Sequence, residues 1–84
     1  AYEPVWAIGT GLVPTMSELD NIFTYMRSVI NNTDKRYSSI KILYGGSVTP
    51  DNAAQLMETS HMDGVLVGGA SLISKKFIDI CSTI

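Results

Sequence analysis

Glu3 is the first residue whose type and position could do chemistry, because this carboxylate stands directly before Pro4. The surrounding sequence, AYEPVWAIGTG, passes at that point from an apolar stretch to a glycine-rich one. A proline pushes the preceding residue toward extended geometry, so Glu3 is expected at the end of a strand, where a loop begins. Carboxylates at strand ends of parallel α/β proteins are often general bases, yet many are ordinary surface groups. Both interpretations of Glu3 stay open at this point.

Two glycine pairs, Gly45-Gly46 and Gly68-Gly69, each follow a short apolar stretch and could form an anion site. Turns without side chains let backbone N–H groups approach one anion closely, and a helix N-terminus beyond each turn adds a favourable dipole. One such pair alone is more simply explained as a tight turn. Two pairs in equivalent positions, beside a third loop that carries Gly9, favour a phosphate-binding site.

Three repeats of a strand, a glycine-containing loop and a helix would position these residues. In the first repeat, residues 2–6 are predicted as a strand end and residues 7–14 as a loop. A capping box at Thr15 and Glu18 then predicts a helix that ends near Asn31-Asn32. Apolar residues recur along this helix at spacings of three and four: Leu19, Ile22, Phe23, Met26, Val29 and Ile30.

The second and third repeats are predicted from shorter patterns. Strands are expected at residues 40–44 and 65–67, the latter apolar throughout because both of its faces should be covered. Thr49 is expected to cap a helix with Pro50 at its first position, and Ser74 is expected to cap the last helix. This alternation predicts the α/β class with a parallel sheet, in which the glycine loops meet at the carboxyl ends of the strands.

Composition argues against several functional classes. The chain has 84 residues and a net charge of −2 without a basic stripe, so a nucleic-acid partner is not expected. No apolar run is long enough for a membrane span. A single cysteine is typical of a reducing compartment, so a cytoplasmic location is expected. Because the chain begins at Ala1 and inside a predicted strand, we expect a piece of a longer protein.

His61 and Cys81, the only histidine and the only cysteine, are not expected to take part in chemistry. His61 precedes the third predicted strand, so it should lie at the sheet edge opposite to Glu3, where residues usually contribute stability. Cys81 is expected to face inward from the last helix, with Phe77 and Ile78, as an apolar filler. No metal site is predicted.

Three motifs, AYEPVWAIGTG, ILYGGSV and DGVLVGGASL, resemble the carboxyl-terminal third of the triosephosphate isomerase family in their order and spacing. The resemblance implies one domain over residues 1–84, holding the last three β/α units of a (β/α)8 TIM barrel. These would be the end of the sixth strand, the lid loop, the sixth helix, and the seventh and eighth strand–helix units. It also implies an isomerase of glycolysis and gluconeogenesis without a cofactor, acting on a small phosphorylated three-carbon sugar and homodimeric when complete.

The resemblance further implies roles for individual residues. Glu3 would be the catalytic base; this family is itself the established example of a glutamate base beside a neutral histidine, and of a loop that closes over its substrate. Gly9, Ser47, Gly68 and Gly69 would bind the phosphate, and Leu66 would line the site. The lid loop around Gly9 would comprise Pro4, Val5, Trp6, Ala7, Ile8, Thr10 and Gly11.

Two features depart from the family. Leu12-Val13-Pro14 stand where a lysine and small residues are usual, and Pro14 should stiffen the second hinge of the lid. The family's substrate-binding asparagine and lysine and its electrophilic histidine would lie upstream, so the 84 residues would be inactive alone.

Two other hypotheses stay open. Another phosphate-binding barrel, or a phosphate-binding module without chemistry, would explain the glycine pairs equally well. A piece with no function of its own would associate through open sheet edges, so the isolated chain is not expected to be a stable monomer.

Overall fold

Three chain segments lie side by side in a short parallel sheet in the computed structural model, which describes residues 1–84. Tyr2 pairs with Tyr44 through an isolated parallel bridge. Strand β1 (Leu43–Tyr44) pairs in turn with strand β2 (Gly64–Val65), with Leu43 opposite Gly64 and Tyr44 opposite Val65. The three segments thus follow each other across the sheet in chain order, as the repeated strand and helix pattern predicts.

Helix α1 spans Met16–Thr33 and begins where the capping box predicts. The Thr15 hydroxyl accepts the N–H of Glu18 at 3.1 Å, and the Glu18 carboxylate accepts the N–H of Thr15 at 3.0 Å. Helix α2 spans Ala53–Leu56 and helix α3 spans Ser74–Cys81. None of the helices combines the length and apolar character needed to cross a membrane.

Short 3₁₀ helices connect these elements at Val5–Ala7, Lys35–Tyr37 and Gly69–Leu72. The core lies between the sheet and the helices, and the Phe23 ring of α1 meets the Tyr2 ring edge-on at 6.1 Å between centroids. Its nine buried apolar residues are Leu19, Phe23, Ile42, Tyr44, Val48, Ala53, Leu56, Met62 and Ile80. The core therefore joins all three repeats, although the third contributes only Ile80.

The strands predicted at residues 40–44 and 65–67 are shorter than expected, so these bounds were wrong. The N–H of Ile42 donates to the Asp63 carboxylate at 2.8 Å, which removes it from the sheet and delays β1 until Leu43. At the other end, the Leu66 N–H donates to the Tyr44 carbonyl at 2.7 Å. The residues that follow Tyr44 then bend away, so the pairing of the two strands ends there. Leu66 is 46% exposed, so the expectation that both faces of this strand are covered was also wrong.

The prediction of a strand at residues 2–6 was also wrong. Only Tyr2 pairs with the sheet, and the chain then forms the 3₁₀ helix Val5–Ala7. Thr49 does not cap α2. Asn52 precedes this helix, and its side-chain oxygen accepts the Thr49 N–H at 2.8 Å, which folds Pro50 into a turn ahead of the helix.

Helix α3 differs from its prediction in two ways. Ser74 is its first residue rather than its cap, and no side chain caps this end. Cys81 is exposed rather than buried, as are Phe77 and Ile78. Ile80 is the residue that α3 buries, so the helix contacts the core along a narrower and different line than its apolar spacing suggested.

A hydrogen-bonded ion pair closes the amino ends of the strands. The Arg27 guanidinium donates to the carbonyls of Ser38 at 3.2 Å and Ile40 at 2.8 Å, and to the Asp63 carboxylate at 3.0 Å. The hydrogen bond from the Ile42 N–H lowers the pKa of Asp63 below its usual value. Burial acts in the opposite direction, and the nearby cations lower the pKa further. We call Arg27, Asp63 and these partners the amino-end clamp.

Candidate active site

A cavity of about 550 Å³ opens at the carboxyl ends of the sheet segments. The lid residues Ile8 and Gly11 also line it, whereas Pro4, Val5, Trp6, Ala7 and Thr10 do not. All six residues expected to act on or bind a substrate line this one cavity: Glu3, Gly9, Ser47, Leu66, Gly68 and Gly69. Three loops that are distant in sequence therefore contribute to one concave surface, as expected for parallel α/β folds.

The lid folds into a tight internal structure. The Thr10 hydroxyl donates to the Trp6 carbonyl at 2.8 Å and accepts the Leu12 N–H at 3.1 Å. Gly9 and Gly11 have φ of 66° and 79°, a region that side chains disfavour, and no atom lies within 4 Å of where their Cβ atoms would be. Glycine is therefore needed at both positions for backbone conformation rather than for space.

Ser47 fastens the lid to the turn that follows β1. Its hydroxyl donates to the Ala7 carbonyl at 2.5 Å and accepts the Gly11 N–H at 3.0 Å. Ser47 itself is only 9% exposed. Pro14, which follows the lid and precedes the cap of α1, is also buried. The Ser47 hydroxyl is thus fully engaged by the lid.

Gly45 and Gly46 are required by packing within the chain. A Cβ on Gly45 would lie 2.6 Å from Cγ of Glu3 and 3.3 Å from its carboxyl carbon. A Cβ on Gly46 would meet the hydroxyl of Tyr44. The sequence interpretation, in which both glycine pairs serve an anion, therefore omits the main reason for the first pair: it leaves room for Glu3 and for the Tyr44 ring.

Gly68 and Gly69 have different surroundings. No atom lies within 4 Å of a Cβ built on either residue, and both are exposed at the cavity. Their N–H groups, like that of Gly9, have no hydrogen-bond acceptor in the chain. The Gly68 carbonyl is held instead, because it accepts both the N–H of Ser71 at 2.9 Å and its hydroxyl at 2.6 Å. This turn therefore presents free N–H groups on a fixed backbone.

Glu3 is placed by the sheet. The Tyr2 carbonyl accepts the Gly45 N–H at 2.8 Å, which brings the next side chain over the Gly45 turn. The Glu3 carboxylate makes no hydrogen bond or ion pair, and the residue is exposed. The removal from water that benefits a carboxylate base is therefore not supplied by these 84 residues.

Tyr44 lies beneath the Gly45-Gly46 turn with its hydroxyl buried and without a hydrogen-bond partner. Burial raises the pKa of this phenol, while the nearby Ser47 backbone N–H acts in the opposite direction. The ring supports the bend from which Ser47 reaches the lid.

Sequence reasoning did not assign two charged residues to the site, Asp51 and Lys76, although both line the cavity. Each of them follows a glycine pair by a few residues, which is the signal that could have identified them. His61 is exposed, has a φ of 63° and precedes β2, so it lies at the edge opposite to Glu3 as predicted.

Comparison with known proteins places these features in a family. The family model described as triosephosphate isomerase matches residues 1–84. The triosephosphate isomerase of Brucella abortus is 49% identical over 84 residues, which is 99% of this chain and 33% of that protein. The enzyme of Xanthobacter autotrophicus is 54% identical over 81 residues, covering 95% of this chain and 32% of its own length.

A solved structure gives the same result. The crystal structure of triosephosphate isomerase from Bartonella henselae matches with a TM-score of 0.85 and 35% sequence identity, over 98% of this chain and 32% of that one. The predicted α/β class, with a parallel sheet that forms part of a TIM barrel, is confirmed by this similarity. The chain spans about a third of the length of the curated relatives it matches.

Proposed function

Because the chain belongs to the triosephosphate isomerase family, we propose that residues 1–84 form the last three β/α units of a barrel that interconverts dihydroxyacetone phosphate and glyceraldehyde 3-phosphate. One observation carries this proposal. A free carboxylate, Glu3, and the unpaired N–H groups of Gly9, Gly68 and Gly69 line one cavity of about 550 Å³. A base beside directed N–H donors suits a small phosphorylated substrate.

In the proposed reaction, the Glu3 carboxylate takes a proton from the carbon beside the substrate carbonyl. The electrons of the broken C–H bond form a carbon–carbon double bond, and negative charge moves onto the carbonyl oxygen. The proton of the adjacent hydroxyl moves to the former carbonyl oxygen. The carboxyl group returns its own proton to the former carbonyl carbon as the new carbonyl forms on its neighbour, so the base is regenerated and no cofactor is consumed. The group that stabilises the charged oxygen would come from residues outside this chain.

The phosphate changes no bond in this reaction, so its contacts serve to orient the sugar. N–H groups of Gly9, Gly68 and Gly69 would bind its oxygens, Ser47 would hold the lid in place beside them through its hydroxyl, and Leu66 would limit the space beside the carbon chain. Ile8 and Gly11 of the fastened lid face the cavity. Glu3 stays exposed beside them, so the exclusion of water from this carboxylate would be completed by the rest of the barrel.

Replacement of Glu3 in the complete protein tests the base. Glu3→Gln should lower kcat by about 10³-fold, within the range of general-base effects, and should leave the affinity for inorganic phosphate nearly unchanged. Glu58→Gln, at an exposed carboxylate away from the cavity, is the matched control and should keep wild-type kcat. Wild-type turnover in Glu3→Gln would refute the assignment.

A phosphate-binding module without chemistry is the second candidate, because the free N–H groups favour it equally. It predicts that the complete protein binds inorganic phosphate but never converts either triose phosphate. Absence of isomerisation, with phosphate binding retained, would decide for this second function.

The assembly of the complete protein also stays a prediction, including a homodimer and a cytoplasmic location. The short sheet leaves both outer segments unpaired, and Val5, Leu66 and Leu72 are exposed at 83%, 46% and 87%. The isolated 84 residues are therefore expected to associate rather than to sediment as a monomer. Monomeric sedimentation with a cooperative thermal transition would contradict this.

A further inference from the structure

Lys76 is the one cationic side chain that lines the cavity. It is the third residue of α3, and it shares the cavity wall with Gly68 and Gly69. Lys76 makes no ion pair. Most other cations of the chain are paired: Arg27 and Lys41 with Asp63, Arg36 with Asp34, and Lys75 with Asp79.

The position of Lys76 is unfavourable for the helix itself. The N-terminus of a helix carries a partial positive charge, so cations in its first turn are repelled. The neighbouring Lys75 is compensated by Asp79 one turn later, at 3.0 Å. The equivalent position for Lys76 holds the buried Ile80, which offers no charge. No acidic side chain within this helix therefore compensates Lys76.

The charges of the cavity also call for a cation. Its other charged side chains are the carboxylates of Glu3 and Asp51, which repel a phosphate dianion. The free N–H groups of Gly68 and Gly69 supply directed hydrogen bonds but no full charge. A lysine ammonium is a compact charge on a flexible stem and suits phosphate oxygens.

We propose that Lys76 is a binding residue for the phosphate group of the substrate. Lys76 would supply a full positive charge, whereas the N–H groups of Gly68 and Gly69 would supply directed hydrogen bonds. This inference rests on the proposed function, because it takes the same cavity as the phosphate site. Lys76 would act on affinity and not on proton transfer.

The test is a titration of inorganic phosphate into the complete protein, followed by ³¹P NMR at low and at physiological ionic strength. Lys76→Gln should weaken phosphate binding by about fivefold at low salt, the effect of one exposed charge at a few ångströms. Lys76→Arg should restore most of the affinity. Lys75→Gln is the matched control and should change affinity by less than about twofold, since its charge is paired with Asp79.

Two further results separate this inference from the proposed function. Loss of the Lys76 charge should make binding less sensitive to salt, and should raise KM while kcat stays near the wild-type value. If the unchanged protein binds phosphate but Lys76→Gln and Lys75→Gln do so equally well, the role of Lys76 is overturned and the site stands. If the unchanged protein binds no phosphate, the phosphate site itself is overturned.

Discussion

The charged residues described above are paired at the amino ends of the sheet and unpaired at its carboxyl ends. At the amino ends, the carboxylate of Asp63 meets both Arg27 and the Ile42 N–H, and Arg27 also reaches two carbonyls. At the carboxyl ends, Glu3 and Lys76 have no partner, and three glycine N–H groups are free. The charged groups named here are paired within the chain at one end, whereas those at the other end remain available.

This difference teaches how one short chain separates stability from function. Paired groups at the amino ends fix the loops from which β1 and β2 start, so they contribute to folding. Unpaired groups at the carboxyl ends contribute little to folding, and are useful only if a ligand completes them. Substitutions that remove these polar groups should therefore lower the free energy of unfolding at the amino ends and activity or affinity at the carboxyl ends.

After replacement of Glu3 itself, the largest expected effect is at the carboxyl ends, from Gly45→Ala. The new Cβ would displace the Glu3 side chain, whose Cγ lies 2.6 Å away, and a displacement of the proposed base by about 1 Å should lower kcat about 100-fold. Steady-state kinetics of the complete protein measures this. Gly64→Ala is the control, because its Cβ would meet only Leu43, at 3.2 Å, and kcat should be unchanged. Equal kcat in both variants would show that Gly45 does not position the base.

At the amino ends, Arg27→Met should lower the free energy of unfolding by about 1–2 kcal/mol, because it removes a guanidinium that is only 15% exposed and that donates to two carbonyls and to the Asp63 carboxylate. The kcat of the folded protein should not change. Lys41→Met removes a cation that is 3.8 Å from Asp63 and 78% exposed, so it should cost less than about 0.5 kcal/mol in urea denaturation. A fall in kcat for Arg27→Met would break the separation between the two ends.

Acid should weaken the amino-end clamp. The pKa of Asp63 is lower in the folded protein than in the unfolded chain, so this carboxylate stabilises the fold above its unfolded pKa. That stability is lost as the pH falls from about 5 through the lowered pKa. Asp63→Asn should be less stable than the wild type at pH 7, and the two should converge in denaturation experiments as the solution is acidified. A constant difference at all pH values would contradict the assignment.

The smallest effect on stability is expected within the open turn, from Gly69→Ala. Gly69 is the first residue of a 3₁₀ helix and no atom lies within 4 Å of the new Cβ, so the free energy of unfolding should change by less than about 0.5 kcal/mol. Gly46→Ala in the other glycine pair should cost about 1–3 kcal/mol, because the buried Tyr44 ring must move. Similar losses in urea denaturation would show that the two glycine turns are not built differently.

Local patterns predicted what depends on neighbours in sequence. Helix α1 starts where Thr15 and Glu18 satisfy each other, because a capping box acts over three residues. The strand lengths were not predictable in this way, since β1 is shortened by a hydrogen bond from Ile42 to Asp63, 21 residues later. The orientation of α3 likewise depends on where Ile80 meets the core, which its spacing alone does not reveal.

The cavity was largely predictable because parallel strands bring their carboxyl ends together, and every expected substrate residue lines it. What the sequence could not reveal was the reason for each glycine. Gly45 and Gly68 occur in similar motifs, yet one makes room for Glu3 and the other faces open space. Only the packing around each turn distinguishes them.

The double hydrogen bond of Ser47 has a consequence for how the lid moves. A single hydroxyl holds both Ala7 and Gly11, and Thr10 ties the stretch between them back onto Trp6. Departure of the loop therefore breaks both bonds to Ser47 together, while the bend around Thr10 keeps its own shape. A half-released loop would gain little freedom and lose a bond, so residues 7–11 should leave Ser47 together as one unit.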